Sequence, residues 1–240
     1  MFAGGADAWR GEAVRSGMVQ PTVRRAAIFD FDGVLVDSEP THMDSILRTI
    51  RGEGWDADPG EMFREFVGTS DRFCFVTLAE RHGVTLDEDA VNRLIERKLG
   101  HFLDAVEGGA VVAHAGAFEL IRAAAEVVPV VVCSGSRRNT VLPVLERFGV
   151  AGVVRGVVGA DDVTNTKPDP EAYRAACALA GEDPGACVTI EDTDHGIASG
   201  VDAGLRVIGV RHTWDNDRLA RADEVFDRIG QITVEDLLGR

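Results

Sequence analysis

Acidic residues directly follow a short apolar run near the start of the chain. Asp30 and Asp32, separated by Phe31, come after the apolar run of residues 26–29. If the extended backbone persists through both aspartates, their side chains lie on the same side of the chain and their carboxylates converge. Two like charges at close range require a proton or a cation between them. The spacing therefore favours a cation-dependent site.

A second acidic pair, Glu191 and Asp192, follows the apolar run of residues 187–190. The carboxyl ends of parallel strands lie at one edge of a sheet, where open α/β sheets bind ligands, so we expect both acidic pairs at one site. Oxygen ligands without histidine or cysteine favour Mg²⁺, which also retains waters and binds substrate phosphate. The expected cofactor is Mg²⁺, with Asp30, Asp32, Glu191 and Asp192 as candidate ligands.

Groups that bind a phosphoryl anion follow other predicted strands. Ser134 and Gly135 come after the apolar run of residues 128–133, and Lys167 lies in a later loop. A hydroxyl, a backbone N–H and an ammonium group together with a metal ion can hold a phosphoryl group. We therefore expect Ser134, Gly135 and Lys167 to bind phosphate.

This set of residues indicates phosphoryl transfer in two steps. Asp30 would attack phosphorus to form an aspartyl-phosphate, while Asp32 would protonate the leaving oxygen. Asp32 would then act as a base and activate water. Asp30 and Asp32 are thus the candidate catalytic residues for hydrolysis of a phosphomonoester.

The elements that must position these residues alternate along the second half of the chain. Helical periodicity is expected at 117–127, 139–148, 170–180 and 195–203, and apolar runs lie at 128–133, 153–158, 187–190 and 205–210. This alternation is typical of a parallel sheet with helices on both faces. Residues from about 39 to 107 have helical periodicity only, which indicates an inserted helical domain.

The expected fold is therefore a Rossmann-like α/β sheet with an inserted helical cap. We expect an N-terminal extension over 1–20, an α/β core over 21–38 and 109–240, and a cap over 39–108. The extension mixes glycine, alanine and charged residues without a sustained period.

Charge and composition exclude several classes of function. The 240 residues carry a formal net charge of −15, which disfavours nucleic acid and anionic membranes as partners. The 4 cysteines form no C-x-x-C pair, and no apolar segment with a basic flank opens the chain, so we expect a cytoplasmic protein. The expected partner is a small phosphorylated metabolite, and the chain is expected to be a monomer or a small homo-oligomer.

Four segments in order resemble the motifs of the haloacid dehalogenase (HAD) superfamily. They are FDFDGVLVDSEP, VVVCSGS, TKPDPEAY and IEDTDHGIASGVDAG, and the resemblance covers about residues 25–230. Within this superfamily, the four segments are most similar to those of the phosphatase and beta-phosphoglucomutase branch, which carries a helical cap. The resemblance implies Asp30 as nucleophile and Asp32 as acid/base and backbone-carbonyl metal ligand. It also implies Ser134 and Lys167 as phosphate binders, Asp192 as a metal ligand, and Glu191 in or near the coordination shell.

The choice between a phosphatase and a beta-phosphoglucomutase depends on the cap. Mutase-like relatives place a lysine and an arginine where this chain has Val67 and Asp71, so we favour a phosphatase and keep the mutase as the alternative. A binding module that keeps the fold without catalysis is a further alternative. Candidate substrate contacts in and near the cap are His42, Thr69, Ser70 and Arg72.

Overall fold

The computed structural model describes residues 23–66, 69–213 and 216–239. The expected extension over residues 1–20 lies outside the described residues. The main sheet has six parallel strands in the spatial order β5-β4-β1-β6-β7-β8. Its strands are β1 (Ala26–Phe29), β4 (Val130–Cys133), β5 (Gly156–Val158), β6 (Cys187–Glu191), β7 (Arg206–Val210) and β8 (Glu224–Phe226). The expected parallel α/β sheet is confirmed.

The central strand β1 is buried on both faces, which explains its unbroken apolar sequence. Alternate residues of a strand point to opposite faces. Ala27 and Phe29 accordingly lie in one large apolar cluster, while Ala26 and Ile28 lie in another on the opposite face. Both faces of the sheet are therefore covered, and the strand ends are held in a rigid frame.

The helices of the α/β part begin and end within two residues of the predicted positions. They are α5 (Ala117–Ala125), α6 (Arg138–Arg147), α7 (Glu171–Ala180) and α8 (Asp194–Ala203), followed by the short α9 (Val234–Leu238). Neither β8 nor α9 was predicted, because each is short and lacks a sustained period. Strand β5 begins later than the valine-rich run, since residues 151–155 form turns and bends before it.

The segment that follows β1 forms four helices with an apolar core of their own. These are α1 (Glu39–Arg51), α2 (Pro59–Phe66), α3 (Asp71–Arg81) and α4 (Glu88–Glu107). Ile46, Phe75 and Leu94 are among the buried residues of this core, which is separate from the clusters on the sheet. We call these four helices the cap.

A small antiparallel sheet lies where the chain enters and leaves the cap. Strand β2 (Val36–Asp37) pairs with β3 (Val112–Ala113). These two-residue strands were not predicted, because so short a segment carries no periodic signal.

All four cysteines are free and buried. Among the described helices, none is long and apolar enough to cross a membrane.

Candidate active site

Three neighbouring strands of the main sheet end at the predicted site residues. Asp30 follows β1, and the adjacent β6 ends at Glu191, which Asp192 follows. On its other side β1 pairs with β4, which Ser134 follows. Because β1, β4 and β6 are parallel neighbours, their carboxyl ends bring these residues to one edge of the sheet.

Asp30, Glu191 and Asp192 form a buried acidic cluster. Each offers a carboxylate oxygen, and these oxygens all lie within 4.8 Å of one another. Burial and the charge of Glu191 raise the pKa of Asp192 to about 8, and the same causes raise the pKa of Asp30 well above its usual range. Asp192 Oδ1 is buried and has no hydrogen-bond partner within the described part of the chain. Mutual repulsion and an unpaired buried oxygen fit the binding of a divalent cation.

Lys167 supplies positive charge beside this cluster. Its Nζ lies 2.6 Å from Asp30 Oδ1 and 2.6 Å from Glu191 Oε1, and it also donates to the carbonyl of Cys133 at 3.2 Å. Burial acts to lower the pKa of Lys167, but Asp30 and Glu191 outweigh burial and raise that pKa well above its usual value. Lys167 is therefore a buried ammonium ion that links two strand ends.

Both oxygens of Glu191 have several hydrogen-bond partners. Oε1 accepts from Lys167 and, at 2.6 Å, from the hydroxyl of Tyr173. Oε2 accepts from the backbone N–H of Asp192 at 3.1 Å and from the hydroxyl of Thr193 at 3.2 Å. Tyr173 is fully buried in α7 and its oxygen also accepts from Lys167 at 3.1 Å. Glu191 thus fixes Lys167 and the backbone of Asp192 in place.

Asp32 has a different set of partners from Asp30. Its carboxylate accepts hydrogen bonds from the hydroxyls of Ser38, of Ser134 at 3.1 Å and of Ser136 at 2.8 Å. Burial acts to raise the pKa of Asp32, but the facing ring of His42 and the hydroxyls of Ser38 and Ser136 outweigh it and hold this pKa below its usual range. Their spacing did not predict that the two aspartates lie in such different environments.

A row of three side chains, Asp71, Lys98 and His42, leads from the cap to Asp32. Lys98 Nζ lies 2.7 Å from His42 Nδ1 and 3.0 Å from Asp71 Oδ1. An ammonium group only donates, so Nδ1 accepts and the ring proton is on Nε2. Nε2 is buried, has no hydrogen-bond partner among the described residues, and lies 3.6 Å from Asp32 Oδ1. The cap therefore points an N–H group at Asp32.

The loop after Asp32 requires a glycine. Gly33 has a φ of 80°, and a Cβ at this position would overlap the carboxylate of Asp192. The carbonyl of Gly33 accepts a hydrogen bond at 2.8 Å from Nδ1 of His212, whose Nε2 accepts from the backbone N–H of Ile229 at 3.2 Å. These contacts hold the loop against the end of β7.

The comparison with protein families identifies this arrangement. The sequence model of the haloacid dehalogenase-like hydrolase family matches residues 24–204, which include all the strand-end residues described above. The chain belongs to this family. The resemblance of the four motifs is thereby confirmed, and so is the expected class of enzyme, a hydrolase.

Named relatives of this HAD-family chain include phosphatases. Hexitol phosphatase A of Escherichia coli is 32% identical over 212 residues, which cover 86% of this chain and 92% of the relative. N-acetylmuramic acid 6-phosphate phosphatase of Pseudomonas aeruginosa is 31% identical over 213 residues, covering 85% of this chain and 90% of the relative. The family match together with these relatives supports the prediction of a phosphatase.

Solved structures show the same fold. A CbbY variant from Rhodobacter sphaeroides, in complex with xylulose 1,5-bisphosphate, superposes with a TM-score of 0.80 at 21% identity and covers 89% of this chain and 99% of that chain. At this identity the likeness shows the fold alone. The fold prediction of a HAD-like α/β sheet is confirmed.

Among the described hydrogen bonds, none joins the predicted contacts Gly135, Thr69, Ser70 and Arg72 to the acidic cluster. Gly135 is exposed in the loop after β4, next to Ser134. Thr69 donates at 2.8 Å to the carbonyl of Phe66, the last residue of α2, and Ser70 caps α3. Arg72 forms a two-pronged ion pair with Glu88, at 2.8 Å and 2.6 Å. The structure brings His42 to the core residues, but none of the described hydrogen bonds of Thr69, Ser70 or Arg72 reaches the core.

Several side chains in the site were not predicted from the sequence, among them Ser38, Ser136, Lys98 and Tyr173. Ser38, Ser136 and Tyr173 lie within the quoted motifs, whereas Lys98 lies outside all four of them. Lys98 lies in α4 at helical spacing from Leu94 and Phe102, on the face that packs inward. A lysine in an apolar stripe is a signal that could have identified it. Tyr173 carried no such signal, because its contact with Glu191, 18 residues further along the chain, depends on how α7 packs against the sheet.

Proposed function

We propose that this HAD-family phosphatase is a Mg²⁺-dependent enzyme that hydrolyses small phosphorylated metabolites through a phosphorylated Asp30. The observation that carries the proposal is that Asp30 and Asp32, two residues apart in the sequence, lie in different environments. Asp30 lies in the acidic cluster and contacts Lys167, whereas Asp32 accepts three hydroxyl hydrogen bonds outside that cluster. Pairs of acids with different environments are typical of sites where one is the nucleophile and the other the acid/base.

The acidic cluster fits a magnesium ion. Asp30, Asp192 and the backbone carbonyl of Asp32 would hold it, with Glu191 in or near the coordination shell. When bound, the ion neutralises charge on the phosphoryl oxygens and keeps Asp30 ionised. The unpaired Oδ1 of Asp192 supports this assignment, because no described group of the chain satisfies it.

In the first step Asp30 attacks phosphorus and the bond between phosphorus and the ester oxygen breaks. Asp32 donates its proton to the departing oxygen, so that an alcohol leaves and an aspartyl-phosphate forms. Asp32 is ionised without substrate, and the negative phosphoryl group beside it favours its protonated form in the complex. Lys167, Ser134 and Gly135 hold the phosphoryl oxygens.

In the second step Asp32 is a base. It takes a proton from a water molecule, whose oxygen attacks phosphorus and releases Asp30 and inorganic phosphate. The hydroxyls of Ser38 and Ser136 hold the Asp32 carboxylate in one orientation for both steps. The names of two relatives, hexitol phosphatase A and N-acetylmuramic acid 6-phosphate phosphatase, support a small phosphorylated metabolite as substrate.

Phosphate release from p-nitrophenyl phosphate with Mg²⁺ tests the proposal. We expect Asp30→Asn to abolish turnover and Asp32→Asn to lose on the order of 10²–10⁴ in rate. Asp194→Asn is the matched control, because Asp194 is exposed and accepts only from the backbone N–H of His195 among the described contacts. Mass spectrometry after acid quenching should find a phosphoryl group on the peptide that contains Asp30. Wild-type activity in Asp30→Asn would contradict the proposal, and isomerisation of beta-glucose 1-phosphate would favour the mutase.

A further inference from the structure

The cap side of the site carries a cation that is already neutralised. Lys98 is 5% exposed and lies between His42 and Asp71. Its Nζ is 3.0 Å from one carboxylate oxygen of Asp71 and 3.2 Å from the other. The ammonium group therefore has a carboxylate partner of its own and is not available to bind an anionic group of a substrate.

Asp71 itself is only partly covered. Its side chain is 33% exposed, whereas that of Lys98 is 6% exposed. Asp71 is the first residue of α3, and Lys98 belongs to α4. The exposed part of the Asp71 carboxylate is thus the charged end of the row of Asp71, Lys98 and His42.

The row faces the acid/base residue. His42 Nε2 lies 3.6 Å from Asp32 Oδ1, so that only Lys98 and His42 separate Asp71 from Asp32. Under the proposed function the departing ester oxygen lies at Asp32. The rest of the leaving group therefore extends beside the cap residues that cover Asp32.

Among the described residues, the cations along this path are already paired. The Lys98 ammonium contacts both carboxylate oxygens of Asp71 and His42 Nδ1, and His42 Nε2 faces Asp32. The cationic side chain next to Asp71 in the sequence, Arg72, is held by both oxygens of Glu88. A second anion on the substrate would therefore meet the partly exposed carboxylate of Asp71, with no described cation left to pair with it.

We propose that Asp71 is a specificity-determining residue that excludes anionic leaving groups. This inference rests on the proposed function and deepens it. The substrates are phosphomonoesters of uncharged alcohols, such as sugars and polyols, or of alcohols that carry an ammonium group. Esters whose leaving group carries a carboxylate or a second phosphate are poor substrates.

Matched esters that differ in one charge test the proposal. The first set is 2-hydroxyethyl phosphate, 2-aminoethyl phosphate and phosphoglycolate, and the second is glucitol 6-phosphate and 6-phosphogluconate. Within each set only the group at the far end changes from neutral or cationic to carboxylate. For the wild-type enzyme with Mg²⁺ we expect kcat/KM to be lower for the carboxylate ester by at least about tenfold, which corresponds to about 1.4 kcal/mol.

The ratio to follow is kcat/KM for a carboxylate ester divided by kcat/KM for the matched neutral ester. Asp71→Asn should raise this ratio by about tenfold, because it removes one negative charge and releases the ammonium of Lys98. Glu53→Gln is the matched control. It removes the same charge from the cap, but Glu53 pairs with Arg97 and lies beyond the opposite end of α1 from His42. We expect the control to leave the ratio unchanged.

The ratio separates specificity from a structural role. If Asp71 only stabilised the cap, its replacement would lower kcat/KM for all esters alike and leave the ratio as it is, and this result would overturn the inference. A wild-type enzyme that prefers the carboxylate esters would overturn it as well, while the proposed function would stand. If the wild type released phosphate from none of these esters and none from p-nitrophenyl phosphate, the proposed function would fall, and this inference with it.

Discussion

Replacement of Lys167 by methionine probes the charge balance on which the site depends. The Lys167 ammonium contacts Asp30 and Glu191, each at 2.6 Å, and the three side chains are 11%, 9% and 1% exposed. Methionine keeps most of the side-chain volume but leaves three buried carboxylates without this cation. Removal of one partner of a buried ion pair costs about 3–5 kcal/mol. We expect the free energy of unfolding of the Mg²⁺-free protein at pH 8 to fall by that amount.

The loss should become smaller as the pH falls. The pKa of Asp192 is about 8 in the folded chain against a usual value of 3.8, so the folded state holds a proton that the unfolded state releases. When the folded pKa lies above the unfolded one, stability is greatest at low pH and declines as the pH rises towards the folded pKa. At pH 5 a carboxyl that has lost its ammonium partner can take up a proton instead. We therefore expect the Lys167→Met loss at pH 5 to be about half of that at pH 8, or less.

Urea unfolding followed by circular dichroism, in EDTA at pH 5 and pH 8, measures both quantities. Lys98→Met is the matched control, because the Lys98 side chain is even less exposed, at 6%, but its carboxylate partner Asp71 is 33% exposed and can be hydrated. We expect a smaller loss for the control, with little change between the two pH values. A Lys167→Met loss below about 1 kcal/mol at pH 8, or a loss that is larger at pH 5, would refute the reasoning.

Three further predictions follow from neighbouring contacts. Added Mg²⁺ should raise the melting temperature more at pH 8 than at pH 5.5, because protons compete for Asp192, whose pKa is about 8, and an equal rise at both pH values would contradict this. Gly196→Ala should lower activity and Mg²⁺ affinity although alanine favours helices, since a Cβ there would overlap the Glu191 carboxylate. Gly100→Ala, where a Cβ meets nothing within 4 Å, should instead stabilise the protein by about 0.5–1 kcal/mol in thermal unfolding. Tyr173→Phe should lower stability by about 1–2 kcal/mol in urea unfolding and raise KM for p-nitrophenyl phosphate, because Lys167 and Glu191 both lose a hydroxyl partner, and unchanged values would show that this hydroxyl is dispensable.

Much of the α/β part could be predicted from local sequence patterns. Continuous apolar runs are typical of strands buried on both faces, and the run of residues 26–29 is such a strand in the centre of the sheet. The helices between the runs have clear periodicity, so their bounds were predicted within two residues. The short strands β2, β3 and β8 escaped prediction, because two or three residues carry too little pattern and their pairing depends on distant partners.

The cap shows where local patterns reach their limit. Its helices were expected from periodicity, but the pattern did not reveal that Lys98 faces inward to His42, 56 residues away along the chain. The same holds for Asp71, which was considered only as the replacement of an arginine. Its pairing with Lys98 depends on how α3 and α4 pack against each other, and that packing is set by the shared apolar core.

The sequence by itself determined which chemical groups stand at the strand ends, because strand periodicity and the position of Asp30, Ser134, Glu191 and Asp192 directly after apolar runs are local properties. The protonation preferences of these groups were decided by the tertiary structure alone. The ammonium of Lys167 reaches Asp30 across 137 residues of chain. Burial and such distant partners set the pKa of each carboxyl, so two aspartates with the same local sequence signal differ in the folded protein.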